Sequence, residues 1–118
     1  MSSFWYVGTP YAKYPQGHQA AFEEACRVAS TLLKTGMKVF CPIAHAHAIR
    51  STPGSTPLPF THEFWLGLDK PFVDAAEGLI VVMMEGWEES TGLTWEIEEF
   101  TKAGKPILYM PGTDGEQM

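Results

Sequence analysis

The stretch Gly78-Leu79-Ile80-Val81-Val82-Met83-Met84 constrains the fold most, because it carries no charge and no alternation of polar with apolar residues. A strand with one solvated face alternates, whereas a run that is apolar on both faces belongs inside a parallel sheet covered by helices on either side. Parallel neighbours are joined by long crossovers, so the flanking sequence should switch repeatedly between strand and helix.

That switching is legible along the chain. Phe4 to Gly8 is a short apolar run that opens into a loop at Gly8-Thr9-Pro10. From Gln16 to Thr35 the residues Phe22, Ala25, Cys26, Ala29, Leu32 and Leu33 recur at three- and four-residue steps, an amphipathic helix ended by Gly36. Met37 to Cys41 reads as a second buried strand stopped by Pro42, and the next twenty or so residues, with Pro53, Gly54, Pro57 and Pro59, predict a long loop. Thr61 to Ala76 is helical, with a kink expected at Pro71. After a polar loop from Glu85 to Ser90, a helix from Thr91 to Ala103 turns Leu93, Ile97 and Phe100 inward, Pro106 to Met110 forms a last strand, and Pro111 to Met118 reads as a frayed tail.

The order β-α-β-α-β-α-β predicts one domain over residues 1–118. It is an α/β fold, a flavodoxin-like or Rossmann-like three-layer α/β/α sandwich with a parallel sheet in strand order 2-1-3-4. Ligands in such sheets bind beyond the carboxyl ends of the strands where the order reverses, here between the first and third strands. Gly8 to Tyr11 and Glu85 to Gly92 should therefore lie side by side.

Composition narrows the partners. A chain of 118 residues with 45% hydrophobic content supports one core, and so small a domain gains stability from association, so a homo-oligomer is expected. A net charge of −6 without a run of Lys or Arg argues against a nucleic-acid polymer but leaves room for a single nucleotide. Cys26 and Cys41 give neither a disulfide framework nor a paired metal spacing, and no apolar stretch reaches the ~18 residues of a membrane span, so a reducing, cytoplasmic location without membrane contact is expected. Gly8-Thr9-Pro10 is not a dinucleotide fingerprint and there is no phosphate-loop Gly-Lys-Ser/Thr, so no cofactor is expected.

Among the acids, Glu96 borders the buried stripe of Leu93, Ile97 and Phe100 while Glu98 points away from it. Its place in the early turns predicts that the positive end of the helix dipole keeps it ionised, as a nucleophile requires; an early-turn acid that merely stabilises its helix has the same position. Asp69, beside Trp65 and Phe72 and just ahead of Pro71, reads on its own as an acid near a broken helix. His45 and His47, two apart on extended backbone, would point the same way, with His62 as a third imidazole. No carboxylate or cysteine has a matching spacing, so a base- or phosphate-contacting loop is preferred to a metal site. Trp87 and Trp95 present flat rings on which a base could stack, or else core side chains.

Three segments together resemble the nucleoside 2-deoxyribosyltransferases and the related deoxynucleotide N-glycosidases. They are Tyr6-Val7-Gly8-Thr9-Pro10-Tyr11, Asp69 eight residues before Glu77 and its strand, and Ser90-Thr91-Gly92-Leu93-Thr94-Trp95-Glu96-Ile97. Pro42-Ile43-Ala44-His45-Ala46-His47, Trp65-Leu66 followed by Asp69, and Gly86-Trp87-Glu88-Glu89-Ser90 are similar to a bacterial and phage branch of that superfamily. The resemblance implies Glu96 as nucleophile, Asp69 as general acid, Gly8 and Tyr11 as the loop beneath the sugar, and Ser90 at the 5′-oxygen, where a neutral donor tolerates phosphate. It implies cleavage or exchange at the N-glycosidic bond of a nucleoside or its 5′-monophosphate; Thr9, His45, His47, Trp87 and Gly92 are read as further candidate substrate contacts. The alternative is a module that binds a nucleotide or an ADP-ribose-like ligand without turnover; a metal-dependent hydrolase built on His45 and His47 is a third, weaker reading.

Overall fold

The computed structural model describes residues 3–55 and 61–114. Four strands, β1 (Trp5–Gly8), β2 (Val39–Phe40), β3 (Gly78–Met83) and β4 (Ile107–Pro111), form one sheet in the order β2-β1-β3-β4. Every pairing is parallel: Tyr6 lies opposite Phe40 and Leu79, and Val81 opposite Tyr109. The expected α/β fold and strand order are therefore present, with β1 and β3 at the centre as the unbroken apolar run requires.

Four helices supply the layers: α1 (His18–Lys34), α2 (Pro42–Ser51), α3 (His62–Ala75) and α4 (Thr91–Lys102). Alternate strand residues face opposite layers. Val7, Ile80, Val82 and Met84 meet Ala21, Ala25 and Val28 of α1, whereas Tyr6, Leu79 and Val81 meet Val73 of α3 and Leu93 and Phe100 of α4. Leu79, Leu93 and Phe100 are each at most 1% exposed, and burial of side chains this size stabilises by about 1.5–3 kcal/mol apiece. The wall formed by α3 and α4 is also tied by an ion pair, Lys70 Nζ to Glu99 Oε1 at 3.0 Å.

Two expectations are corrected. The segment after Pro42 is not a long loop: it is helical to Ser51, with Pro42 at the first helical turn, where a missing N–H costs nothing and the fixed φ favours the start. Pro111 ends a strand, and the residues after it are held: Thr113 donates from its backbone N and its hydroxyl to the buried carboxylate of Glu24, and Asp114 accepts from Tyr14 Oη at 2.8 Å and from the Glu85 backbone N at 2.8 Å. Pro57 and Pro59 of the expected loop, and 115–118 of the expected tail, lie outside the described residues. Pro71 falls inside α3 without ending it. No helix of the described residues is long and apolar enough to cross a membrane.

Candidate active site

A cavity of about 280 Å³ opens beyond the carboxyl ends of β1 and β3, where the strand order reverses. One wall comes from α3 and α4 and carries Trp65, Asp69, Trp95 and Glu96; the other comes from the β1–α1 loop and α2 and carries Thr9, Tyr11, His47 and Arg50. The two carboxyls singled out in the sequence thus border one hollow.

Glu96 is reached through Gly8. A Cβ at Gly8 would stand 2.7 Å from Leu93 Cδ1 and 2.9 Å from Glu96 Oε1, so a side chain there would force the ends of Leu93 and Glu96 to move. Behind Glu96, Tyr6 is fully buried in β1 and donates its phenol proton to Glu96 Oε2 at 2.5 Å. Burial, with the neighbouring Glu96 and Asp69 charges, raises the Tyr6 phenol far above its ordinary value, so it stays a donor.

The helix start does not keep Glu96 ionised in the free protein. Burial pushes its carboxyl up to about 8; the Tyr6 hydrogen bond opposes that shift and the Asp69 charge adds to it. The dipole falls off within the first turn, and Glu96, 7% exposed, is one turn further in. Asp69 behaves as its apolar neighbours predict: burial raises it to about 6, against a lowering influence from the Tyr6 hydroxyl. The phenol therefore acts on both acids.

The remaining sequence candidates divide. Thr9 is buried, and its hydroxyl has no hydrogen-bond partner among the described residues. Ser90 is buried at the start of α4, where its Oγ accepts from the Leu93 N–H at 3.2 Å, and Gly92 lines the cavity one turn below Glu96. Tyr11 Oη meets His47 Nδ1 at 2.7 Å, and His47 Nε2 meets Gln19 Oε1 at 3.0 Å. A carbonyl oxygen only accepts, so the His47 proton is assigned to Nε2 and its Nδ1 accepts from Tyr11. Burial, then the Arg50 and His18 charges, hold His47 below the usual imidazole range.

His45 and Trp87 are not brought to the cavity. On a helix, residues two apart do not share a face: His47 turns inward while His45 stays exposed against Phe40. Trp87 packs on the α3/α4 core and against Tyr109, ring centroids 5.9 Å apart.

Sequence reasoning missed two things. Tyr6 received no role, although a lone hydroxyl in an otherwise apolar central strand is itself a signal. Arg50 was hidden because its segment was read as a loop: as a helix, Ile43, Ala46, His47 and Arg50 fall on one face at steps of three and four, and all four line the cavity.

The family profile described as domain of unknown function DUF1937 matches residues 4–111. The chain belongs to that family. No curated protein matches its sequence. The match to the DUF1937 domain takes in β1 through β4 and every residue named on the two walls of the cleft.

Proposed function

We propose that this DUF1937 domain cleaves the N-glycosidic bond of a nucleoside, or of its 5′-monophosphate, through a glycosyl ester on Glu96. The observation that carries the reading is a pair of carboxyls on one cavity, Glu96 buried and Asp69 half-buried, both raised by desolvation. With Asp69 near 6 and Glu96 near 8, the pair holds one proton around neutral pH, as one nucleophile and one acid require. The resemblance of Tyr6–Tyr11 and Ser90–Ile97 to nucleoside 2-deoxyribosyltransferases points to the same reaction.

In the free cleft that proton resides on Glu96. Positive charge growing at the anomeric carbon favours the Glu96 anion and moves the proton to Asp69, with the Tyr6 phenol hydrogen-bonded to Glu96 and influencing both. Glu96 then attacks the anomeric carbon; the carbon–nitrogen bond breaks, its electron pair leaves with the base, and Asp69 protonates that base. In the second half water attacks the same carbon, Asp69 takes its proton, and the bond to Glu96 breaks with its carboxylate restored. Water gives hydrolysis; a second base in its place gives transfer. Trp65 and Trp95, on the same wall, offer flat apolar faces for the base.

Incubation with a panel of deoxynucleosides, ribonucleosides and their monophosphates, with chromatography for free base, tests the reading. Base release by the native protein, with none from Glu96→Ala and a glycosyl adduct in the intact mass, supports it. Absence of release across the panel, or equal release by Glu96→Ala, overturns it.

A further inference from the structure

The chain carries 8 Lys and Arg against 14 Asp and Glu, yet the wall of the cleft away from Asp69 and Glu96 gathers basic side chains. Lys13 from the β1–α1 loop, His18 from the first turn of α1 and Arg50 from the last turn of α2 all line it. No ion pair joins any of them to a carboxylate among the described residues.

Tyr11 organises His18 and Arg50. The His18 ring stacks on it with centroids 4.4 Å apart, and the Arg50 guanidinium lies 5.7 Å from its centroid and donates to its hydroxyl at 3.4 Å. His47 holds the same hydroxyl from the other side of the hydrogen bond. Arg50 spends one weak donor on Tyr11 and keeps the rest of its fork. The field of these groups is felt inside the cleft, since Arg50 and His18 both act to lower the His47 pKa.

The start of α4, which also lines the cavity, is less suited to a dianion. The Ser90 oxygen is engaged as the cap of α4, and Glu88 and Glu89, both exposed, immediately precede it. Like charge there repels what Lys13, His18 and Arg50 attract.

We infer that the wall built by Lys13, His18 and Arg50 around Tyr11 is an anion subsite that seats the phosphate of a phosphorylated ligand. A guanidinium fork, an ammonium and an imidazole on three separate elements match a tetrahedral group with several oxygens better than a single carboxylate. The inference rests on the proposed reading of this cavity as the substrate cleft, and it names phosphorylated over unphosphorylated ligands as the class that cleft takes.

Inorganic pyrophosphate is a probe that carries no base and no glycosidic bond, so its binding is independent of turnover. Calorimetry on the full chain should show saturable binding that weakens with added salt. Arg50→Ala and Lys13→Ala should each raise Kd about tenfold, whereas Ser90→Ala should change it by no more than about twofold. Lys34→Ala removes the same charge about 24 Å along α1 from His18 and should leave Kd unaltered. Circular dichroism on each variant separates lost binding from lost folding. No binding by the native protein, equal effects of Lys34→Ala and Arg50→Ala, or a loss confined to Ser90→Ala overturns the inference. Pyrophosphate bound at Arg50 with no base released from any nucleotide leaves the subsite standing and removes the glycosidase reading; base released equally well from nucleosides and monophosphates, and insensitive to Arg50→Ala, does the reverse.

Discussion

The Tyr6 hydroxyl, fully buried in β1, hydrogen-bonds Glu96 Oε2 on α4 at 2.5 Å, so the central strand β1 and the last crossover helix meet at the proposed nucleophile. The bond fixes the carboxyl rotamer and opposes the burial that raises its pKa. Tyr6→Phe keeps the ring packed against Phe40 and Phe100 and removes only the oxygen. Glu96 should then titrate higher still, seen as a higher midpoint when its side-chain carboxyl carbon resonance is followed through an NMR pH series, and base release should fall by about ten- to a hundredfold. An unchanged Glu96 titration would show that the phenol has no hold on it.

Asp69 has a different diagnostic. Loss of a general acid typically lowers rate by 10²–10⁴-fold, so Asp69→Asn should fall by about that much on ordinary nucleosides or nucleotides. A purine methylated at N7 already carries positive charge and departs without protonation. On that substrate the same variant should lose far less. Equal losses on both substrates would deny Asp69 the acid's role.

The sheet was readable because its defining run, Gly78 to Met84, is decided locally: seven residues without a charge admit few placements. The pairing of Glu96 with Asp69 was readable only through resemblance, because each acid alone looks like an ordinary helical residue. Helix α2 was missed for a physical reason. Proline both stops a strand and starts a helix, and Pro42 does both here, while the Ala and His residues that follow give a weak amphipathic signal. Misreading α2 put His45 in the cleft and left Arg50 out of it. The anchoring of Thr113 and Asp114 was invisible because their partners, Glu24, Tyr14 and Glu85, lie far away in sequence.

Stability should carry the mark of the two raised acids. The folded values of Glu96, about 8 against an ordinary 4.5, and Asp69, about 6 against 3.8, are both raised. A group raised on folding contributes stability that is full below its unfolded value and is lost as pH rises through the folded one. The melting temperature of the native protein should therefore decline between about pH 4 and pH 8. Glu96→Gln, which cannot ionise, should flatten the upper part of that decline and melt several degrees higher at pH 8. Parallel curves for the two proteins would mean that Glu96 is not buried as described.

Gly8 and Gly92 make a contrast within one cleft. Gly8→Ala drives a methyl into the side-chain ends of Leu93 and Glu96, and overpacking of this kind costs about 1–3 kcal/mol; it should also displace the proposed nucleophile and lower base release. At Gly92 an added Cβ meets nothing within 4 Å, and alanine in the first turn of α4 should leave stability unchanged or raise it by up to about 1 kcal/mol. Thermal melts of the two variants decide the matter, and a destabilised Gly92→Ala beside a normal Gly8→Ala would contradict the packing of α4 on β1.

The segment after β4 provides the last test. Glu24 is fully buried in α1, where its carboxylate takes the Thr113 backbone N–H, the Thr113 hydroxyl and the Arg27 guanidinium. Asp114 meanwhile joins the loop carrying Tyr14 to the loop carrying Glu85, and these two loops run on into the walls of the cleft. A chain ending at Gly112 leaves Glu24 with Arg27 alone, and a buried acceptor stripped of partners costs about 1–3 kcal/mol or more when charged. Its melting temperature should fall by several degrees and partly recover with Glu24→Gln, because the neutral amide loses less when Thr113 is gone. Should the truncated chain melt with the full one, the contacts at Thr113 and Asp114 contribute nothing to the fold, and the two loops are held in place by their strands alone.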